Sequence, residues 1–197
     1  MEPETYTSLD LETTGLNPDA EAILEIAAVK FRGKEVLESW HTFVNPGRPI
    51  PAYIRALTGI TPDMVAGAPG FASVSAELGS FLRNTTIVGH RISFDVGFLA
   101  AQGLALSNPV VDTWEMCSVL LPTLPSHKLS ALAGVLCSDH PAPHRAMADA
   151  LAAKDVFLAL VDKVSGLEYS LLQQLAGLLQ ASDSGWGPIL RRMAARA

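Results

Sequence analysis

The sequence predicts an α/β protein in which a mixed β-sheet is flanked by helices. Strand-like segments with alternating or apolar patterns come first, and segments with helical periodicity dominate the later part of the chain. Five strands are predicted, at residues 6–12, 23–31, 35–44, 86–88 and 110–112. Strands that come early and helices that are interleaved later are typical of a mixed sheet covered by helices.

The first three strands are predicted to form a meander because short turns join them. Gly15–Asp19 is a turn by composition, and Arg32-Gly33-Lys34 is a tight turn between the second and third strands. Two short helices follow on either side of Gly59, which can end the first of them. Thr61 can cap the second helix and Pro62 suits its first turn, so this stretch has a complete structural explanation.

Longer helices are predicted at residues 73–82, 92–102, 128–136 and 146–164, with another after the fifth strand. The character of the chain changes at Gly166. A leucine-rich amphipathic segment spans 167–180, and the final helix-like run at 189–193 has no cap. We therefore expect a domain at 1–165 and a helical extension at 166–197 that begins a linker or further domain of a longer protein.

Composition fits a soluble globular protein, since 49% of the residues are hydrophobic and 17% are charged. The net charge of −6 argues weakly against a strong electrostatic grip on a polyanion. That argument weakens if acidic residues are metal ligands, because two divalent cations would bring the charge to about −2.

Localisation is predicted to be cytoplasmic. No apolar run follows the acidic Met1–Glu4, and no stretch has the roughly 18 uncharged apolar residues of a membrane span. Cys117 and Cys137 match no metal-ligand spacing, so we expect core thiols of a reducing compartment.

Carboxylates at four positions predict a shared site. Asp10 and Glu12 lie on one face of the first strand and would repel each other unless a cation lay between them. Asp95 and Asp149 each fall on the apolar stripe of a helix, where an unpaired carboxylate is costly. A solvated strand edge or a structural ion pair explains each one alone. Together they predict one site.

The chemistry of this set is that of a hard cation. Four carboxylates without a Cys or His ligand set indicate Mg²⁺ or Mn²⁺ rather than Zn²⁺. Two such ions roughly 3.5–4 Å apart can stabilise both oxygens of a phosphoryl displacement. His144, predicted on the loop before the last long helix, is a candidate general base, although a histidine there is more often a surface or capping residue.

Three motifs occur in order: Asp10-Leu11-Glu12-Thr13-Thr14-Gly15, His90-Arg91-Ile92-Ser93-Phe94-Asp95 and His144-Arg145-Ala146-Met147-Ala148-Asp149. Together they resemble the exonuclease motifs of the DEDDh, or DnaQ-like, family, over about residues 5–164. The resemblance implies a ribonuclease H-like fold and 3′-to-5′ hydrolysis that releases nucleoside 5′-monophosphates. It also implies that the four carboxylates hold two divalent cations and that His144 activates the attacking water.

The resemblance implies a substrate-binding set as well. Thr13 would offer its backbone to the terminal 3′-hydroxyl, and His90 belongs to the second motif. Leu16 and Ile60 would pack against the last bases, and Phe94 would stack on the penultimate nucleotide. Ordinary core packing explains Leu16, Ile60 and Phe94 equally well.

Arg91 departs from the family, which usually carries Asn at this position. The arginine could contact a phosphate, or it could disturb how Glu12 is held. Activity is expected to survive because all five catalytic positions are present. Arg91, Lys128 and Arg145 could follow the backbone of a short strand, although solvated surface charge is an equal explanation for each, and a modest salt dependence is expected.

The leading interpretation is a metal-dependent exonuclease acting on the 3′ ends of single-stranded or frayed DNA. An RNA-directed exonuclease of the same fold and a non-catalytic nucleic-acid-binding module remain as alternatives. The extension resembles the region that follows the exonuclease domain in DinG-type helicase fusions. The alternative partner is a polymerase, on which the extension would dock as the tail of the epsilon proofreading subunit does.

Overall fold

A five-stranded sheet lies at the centre of the structure, a computed structural model that describes residues 4–137, 144–180 and 184–195. The strands are β1 (Thr5–Thr13), β2 (Ile23–Arg32), β3 (Glu35–Phe43), β4 (Thr86–Gly89) and β5 (Val110–Asp112). Their spatial order is β3-β2-β1-β4-β5. The first three are antiparallel and form the predicted meander, whereas β4 and β5 run parallel to β1. The predicted mixed sheet is confirmed.

Helices cover both faces of this sheet, and nine are present in the described residues. They are α1 (Ala52–Thr58), α2 (Pro62–Ala66), α3 (Phe71–Leu82), α4 (Ser93–Ala101), α5 (Thr113–Leu120), α6 (Leu129–Leu136), α7 (Ala146–Ser165), α8 (Tyr169–Gln180) and α9 (Gly187–Ala194). The predicted segments coincide with these elements to within one or two residues at most ends. At the α1–α2 junction, Gly59 adopts the left-handed φ of 71° that ends α1, and Pro62 begins α2, as predicted.

The two faces of β1 have different neighbours. Leu9 and Leu11 are buried in a cluster with residues of α3 and α4. Asp10 and Glu12 lie on the opposite face, which α7 covers, because successive side chains of a strand alternate. The central position of β1 therefore brings its two carboxylates beneath the N-terminal end of α7.

Small residues allow α7 to approach the sheet closely. Ala146 and Ala150 on α7 pack against Ala27 and Val29 on β2. Ala27 is the antiparallel partner of Asp10, so this contact lies directly beside the β1 carboxylates. Larger side chains at the alanine positions would hold the start of α7 away from them.

The segment after residue 166 packs against the rest of the chain. Leu172 of α8 and Leu190 of α9 are buried in the same cluster as Phe157 and Leu160 of α7. Trp186, immediately before α9, has no exposed surface. The assignment of 166–197 as an extension that begins a linker or further domain stays a prediction.

Cys117 is buried and Cys137 is half-buried, and both thiols are free. No helix in the described part of the chain combines the length and apolar character that crossing a membrane requires.

Candidate active site

The four predicted carboxylates lie in one cleft between the carboxyl end of β1 and the N-terminal turns of α4 and α7. The cleft has a volume of about 860 Å³. Eight of the ten predicted site residues line it: Asp10, Glu12, Leu16, His90, Phe94, Asp95, His144 and Asp149. Thr13 and Ile60 are the two that do not.

Asp10 and Glu12 occupy the end of β1 in an environment that disfavours their charge. Burial raises the pKa of Asp10 well above its usual range, and the nearby charges of Asp95 and Asp149 raise it further. Burial likewise raises the pKa of Glu12 to about 8, with the charge of Asp149 adding to the effect. Without a cation, these carboxylates therefore tend to retain protons.

Asp95 is fixed against β1 by a hydrogen bond. It lies in the first turn of α4 with 4% of its surface exposed. Its Oδ1 accepts a hydrogen bond from the Leu11 N–H at 2.9 Å, which places it beside the strand position between Asp10 and Glu12. Burial raises its pKa strongly even though backbone hydrogen bonds act in the opposite direction.

Asp149 and His144 approach from the other side of the cleft. The backbone N–H of His144 donates to Asp149 Oδ2 at 2.7 Å across the start of α7. His144 is exposed and has a left-handed φ of 68°, so it lies on the turn before the helix rather than in it. Ligand atoms of Glu12, His144 and Asp149 all lie within 4.8 Å of one another. Burial raises the pKa of Asp149, while the His144 N–H opposes the shift.

The donor set fits a divalent metal site. Carboxylate oxygens are the ligands that hard cations prefer, and the repulsion that raises these pKa values is relieved when a cation binds between the groups. The N-terminal ends of α4 and α7 add partial positive charge close to the same carboxylates.

Glu25 is a structural member of the site that the sequence analysis missed. Its side chain, 1% exposed, accepts hydrogen bonds from Arg145 Nε at 3.1 Å and Arg145 Nη2 at 2.9 Å. It also contacts His41 Nε2 at 2.7 Å and accepts from the Ala146 N–H at 3.2 Å. Burial alone would raise the pKa of Glu25, but these donors hold it below its ordinary value. The available signal was a carboxylate within the otherwise apolar stretch Ile23–Val29.

Asp112 is a second residue that the sequence analysis did not single out. It ends β5 and caps α5, where its Oδ1 accepts from the Trp114 N–H at 2.8 Å. The same oxygen accepts from the Arg91 N–H at 2.9 Å. An aspartate at the junction of a buried strand and a helix was the available signal, because this is a preferred capping position.

The predicted substrate-binding residues occupy different environments. Leu16 is 84% exposed at the edge of the cleft, and Phe94 is half-buried with its ring 4.8 Å from that of Phe98. His90 Nδ1 lies 2.9 Å from Thr113 Oγ1, and burial lowers the pKa of His90.

Thr13 and Ile60 lie away from the cleft surface. Thr13 is buried, and its hydroxyl donates to the Gly15 carbonyl at 2.6 Å. Ile60 has no exposed surface and packs with Leu24 and Ile54. The structure thus corrects the expectation that the Ile60 side chain borders the cleft, because the α1–α2 turn folds it into a separate cluster.

A family model described as Exonuclease, RNase_T, matches residues 7–157 of this chain. The match includes all three motifs and more than half of the chain, and the chain therefore belongs to this exonuclease family. The resemblance predicted from the motifs is confirmed.

Curated relatives of this chain include a DNA polymerase and a 3′–5′ exonuclease. The chain is 36% identical over 177 residues to the DNA polymerase III PolC-type of Bacillus subtilis, covering 86% of this chain and 12% of the relative. It is 34% identical over 186 residues to the 3′–5′ exonuclease DinG of the same organism, covering 91% of this chain and 20% of the relative. The chain thus spans only a small part of the length of these relatives.

Solved structures share the fold. A complex of exonuclease X with 5′ overhanging duplex DNA superimposes with a TM-score of 0.70 at 25% identity, covering 83% of this chain and 94% of that one. The zinc-bound complex of Escherichia coli exonuclease I with single-stranded DNA gives a TM-score of 0.72 at 22% identity, covering 89% and 44%. The ribonuclease H-like fold predicted from the motifs is confirmed.

Proposed function

We propose that this domain is a metal-dependent 3′–5′ exonuclease that hydrolyses the terminal phosphodiester bond of single-stranded or frayed DNA and releases nucleoside 5′-monophosphates. The observation that carries the proposal is the convergence of Asp10, Glu12, Asp95 and Asp149 with His144 in one cleft of an exonuclease-family fold. The family alone predicts a nuclease, and the intact cleft supports an active one.

The four carboxylates would hold two divalent cations, and we propose Mg²⁺ or Mn²⁺ because every proposed ligand is an oxygen. When bound, such ions polarise the phosphate and stabilise the charge that develops on the attacking and leaving oxygens. The hydrogen bond from Leu11 to Asp95 and that from His144 to Asp149 hold two of these carboxylates in place before any cation arrives.

His144 is the proposed general base. Its ring is exposed at the cleft, and its backbone is fixed by Asp149, so the imidazole can accept a proton from the attacking water and release it to solvent. The same position keeps it within 4.8 Å of a Glu12 oxygen, close to the reacting phosphate in this scheme.

Two apolar side chains are suited to the terminal nucleotides. The high exposure of Leu16 is unfavourable for an isolated leucine but useful for a side chain that packs against a base. Phe94 adds an aromatic ring to the same lining. Stacking of this kind is tolerant of sequence, as expected for an enzyme that removes any nucleotide.

DNA is proposed as the substrate because the relatives are a DNA polymerase and an exonuclease, and because related structures contain DNA. The polymerase among these relatives supports a proposed role beside a polymerase. A helicase partner is proposed only from the resemblance of the extension at 166–197. The metal chemistry does not distinguish deoxyribose from ribose, so RNA is the alternative that the assay must address.

The test is digestion of DNA and RNA oligomers labelled at either end, with Mg²⁺ or Mn²⁺. We expect a ladder shortened from the 3′ end, mononucleotide products and a preference for DNA. The Asp10→Ala variant is the control because it removes a proposed ligand from the central strand. Cleavage by the parent protein that does not exceed that of Asp10→Ala would refute the proposal.

A further inference from the structure

An arginine and a tryptophan form a cation–π pair in the lining of the cleft. The guanidinium carbon of Arg91 lies 5.2 Å from the centre of the Trp114 ring. Both residues are exposed, and Trp114 retains 37% of its surface. An exposed tryptophan beside a row of carboxylates is unusual because aromatic rings of this size are normally buried.

A single carboxylate oxygen fixes the backbones of both residues. Asp112 Oδ1 accepts from the Arg91 N–H at 2.9 Å and from the Trp114 N–H at 2.8 Å. Arg91 has a left-handed φ of 58°, a conformation that costs most side chains about 1 kcal/mol or more and that Asn tolerates better. The position thus favours Asn on backbone grounds, so the arginine side chain requires another explanation.

The Arg91 guanidinium is free to bind an anion. Among the described residues, no carboxylate lies within 4 Å of it and no side-chain hydrogen bond holds it. The contact with the Trp114 ring is not a hydrogen bond, so it leaves the guanidinium N–H groups available. An arginine with available N–H groups can bind a phosphate through two hydrogen bonds.

The pair lies where two cavities meet. Arg91 and Trp114 line both the carboxylate cleft and an adjoining cavity of about 630 Å³. The adjoining cavity also contains His127 and Lys128, which the carboxylate cleft does not. Asp10 and Asp149 line both cavities, and a strand that continues into the adjoining one also meets the cationic side chain of Lys128.

We propose that Arg91, held by Trp114, binds a backbone phosphate of the substrate strand upstream of the bond that is cleaved. This inference rests on the proposed exonuclease function and assigns a phosphate subsite to it. The net charge of −6 and the acidic cleft repel a polyanion. Arg91, where the cleft meets the adjoining cavity, offsets this repulsion and helps to retain the substrate strand between successive cleavages. The adjoining cavity, with Lys128, accommodates the next phosphates.

The test compares substrates with and without an upstream phosphate. The 4-nitrophenyl ester of thymidine 5′-phosphate has only the phosphate that is attacked, whereas a short single-stranded DNA oligomer has several more. For Arg91→Asn, we expect kcat/KM on the oligomer to fall about tenfold, mainly through KM, with the ester cleaved as by the parent protein. A plot of the logarithm of the oligomer binding constant against the logarithm of the salt concentration should become shallower by about one unit of slope.

Matched variants separate the phosphate contact from other roles. Arg91→Lys keeps the charge but cannot make the paired hydrogen bonds. Its kcat/KM on the oligomer should therefore lie between those of the parent protein and Arg91→Asn. Arg83→Asn removes an exposed arginine at the opposite end of β4 and should leave kcat/KM unchanged on both substrates. Trp114→Phe should retain more oligomer binding than Trp114→Ala, because a ring still supports the guanidinium.

Several outcomes would overturn the assignment. If Arg91→Asn lowers kcat/KM equally on the ester and the oligomer, Arg91 shapes the catalytic centre. If kcat/KM falls on neither substrate, Arg91 does not bind an upstream phosphate. A larger loss for Trp114→Ala than for Arg91→Asn would indicate base stacking on Trp114 instead. Fluorescence anisotropy of a labelled oligomer with Ca²⁺ measures the subsite without catalysis. A parent protein that binds through Arg91 but does not cleave would therefore refute the proposed function and not the subsite.

Discussion

Replacing Glu25 tests whether the buried carboxylate on β2 holds the start of α7 in position. Glu25→Ala removes the acceptor of both Arg145 hydrogen bonds, of the His41 contact and of the Ala146 N–H. Arg145 and His41 have side chains that are 43% and 34% exposed, so water replaces much of what they lose. The Ala146 N–H is buried and would be left without an acceptor.

The magnitude follows from that difference. A buried donor left unsatisfied costs about 1–3 kcal/mol, and a hydrogen bond to a charged group makes a net contribution of about 1.5–3 kcal/mol. Removal of one partner of a fully buried ion pair costs about 3–5 kcal/mol, and the exposure of Arg145 places this case at or below the lower limit. We therefore expect the free energy of unfolding of Glu25→Ala to fall by about 3 kcal/mol. Glu25→Gln, which keeps an acceptor for Ala146, should lose about half as much.

Metal binding should weaken together with stability. The turn and first helical turn that Glu25 anchors carry His144 and Asp149, and a released Arg145 can move towards Glu12, whose pKa it already lowers. We expect the midpoint of Mn²⁺ binding by calorimetry to shift to concentrations roughly tenfold higher, at a temperature where the variant remains folded.

An exposed ion pair on the same sheet provides the control. Glu38 on β3 pairs with Lys30 at 3.1 Å and is 59% exposed, so Glu38→Ala should cost less than about 1 kcal/mol and leave metal binding unchanged. Urea denaturation gives the stabilities of all the variants. If Glu25→Ala is no less stable than Glu38→Ala, or if it binds Mn²⁺ as the parent does, Glu25 does not position α7.

Three further predictions concern the ligands, the pH dependence and the extension. Asp149→Asn should reduce kcat on DNA oligomers at least a thousandfold, roughly the cost of losing essential electrostatic stabilisation, while thermal unfolding stays cooperative; near-normal turnover would exclude Asp149 as a ligand. Without metal, burial raises the pKa of Glu12 from its ordinary 4.5 to about 8. Between these pH values the folded state therefore holds a proton on Glu12 that the unfolded state has released. Stability measured in a chelator should therefore fall as the pH rises from about 4.5 to 8, and Mn²⁺ should reverse this fall most strongly at the alkaline end; a melting temperature that rises over this range in the chelator would contradict it. Trp186→Ala should reduce the free energy of unfolding by about 3–5 kcal/mol, and Trp186→Phe by distinctly less, because Trp186 is fully buried; a near-neutral Trp186→Ala in urea denaturation would show that the extension contributes little to the core.

The four carboxylates of the proposed catalytic site could be predicted because each one conflicts with its local pattern. A period of two places Asp10 and Glu12 on one face of a strand, and a helical period places Asp95 and Asp149 on apolar stripes. Such conflicts are costly unless another part of the fold compensates for them, so they indicate a site without any knowledge of the tertiary structure. The placement of Ile60 lacked this signal, since an isoleucine is equally compatible with a cleft and with the cluster around Leu24.

Glu25 shows what a local pattern cannot reveal. Its partners Arg145 and Ala146 lie 120 and 121 residues further along the chain, and the pairing depends on where α7 rests on β2. That position is set by the alanine contacts between the two elements, which read in the sequence only as small apolar residues. Glu25 caps α7 from strand β2, whereas the side chain of Arg145 at the N-cap position makes no capping hydrogen bond. The predicted ligands thus account for the charge of the site, whereas its geometry depends on a buried ion pair that only the assembled sheet and helix bring together.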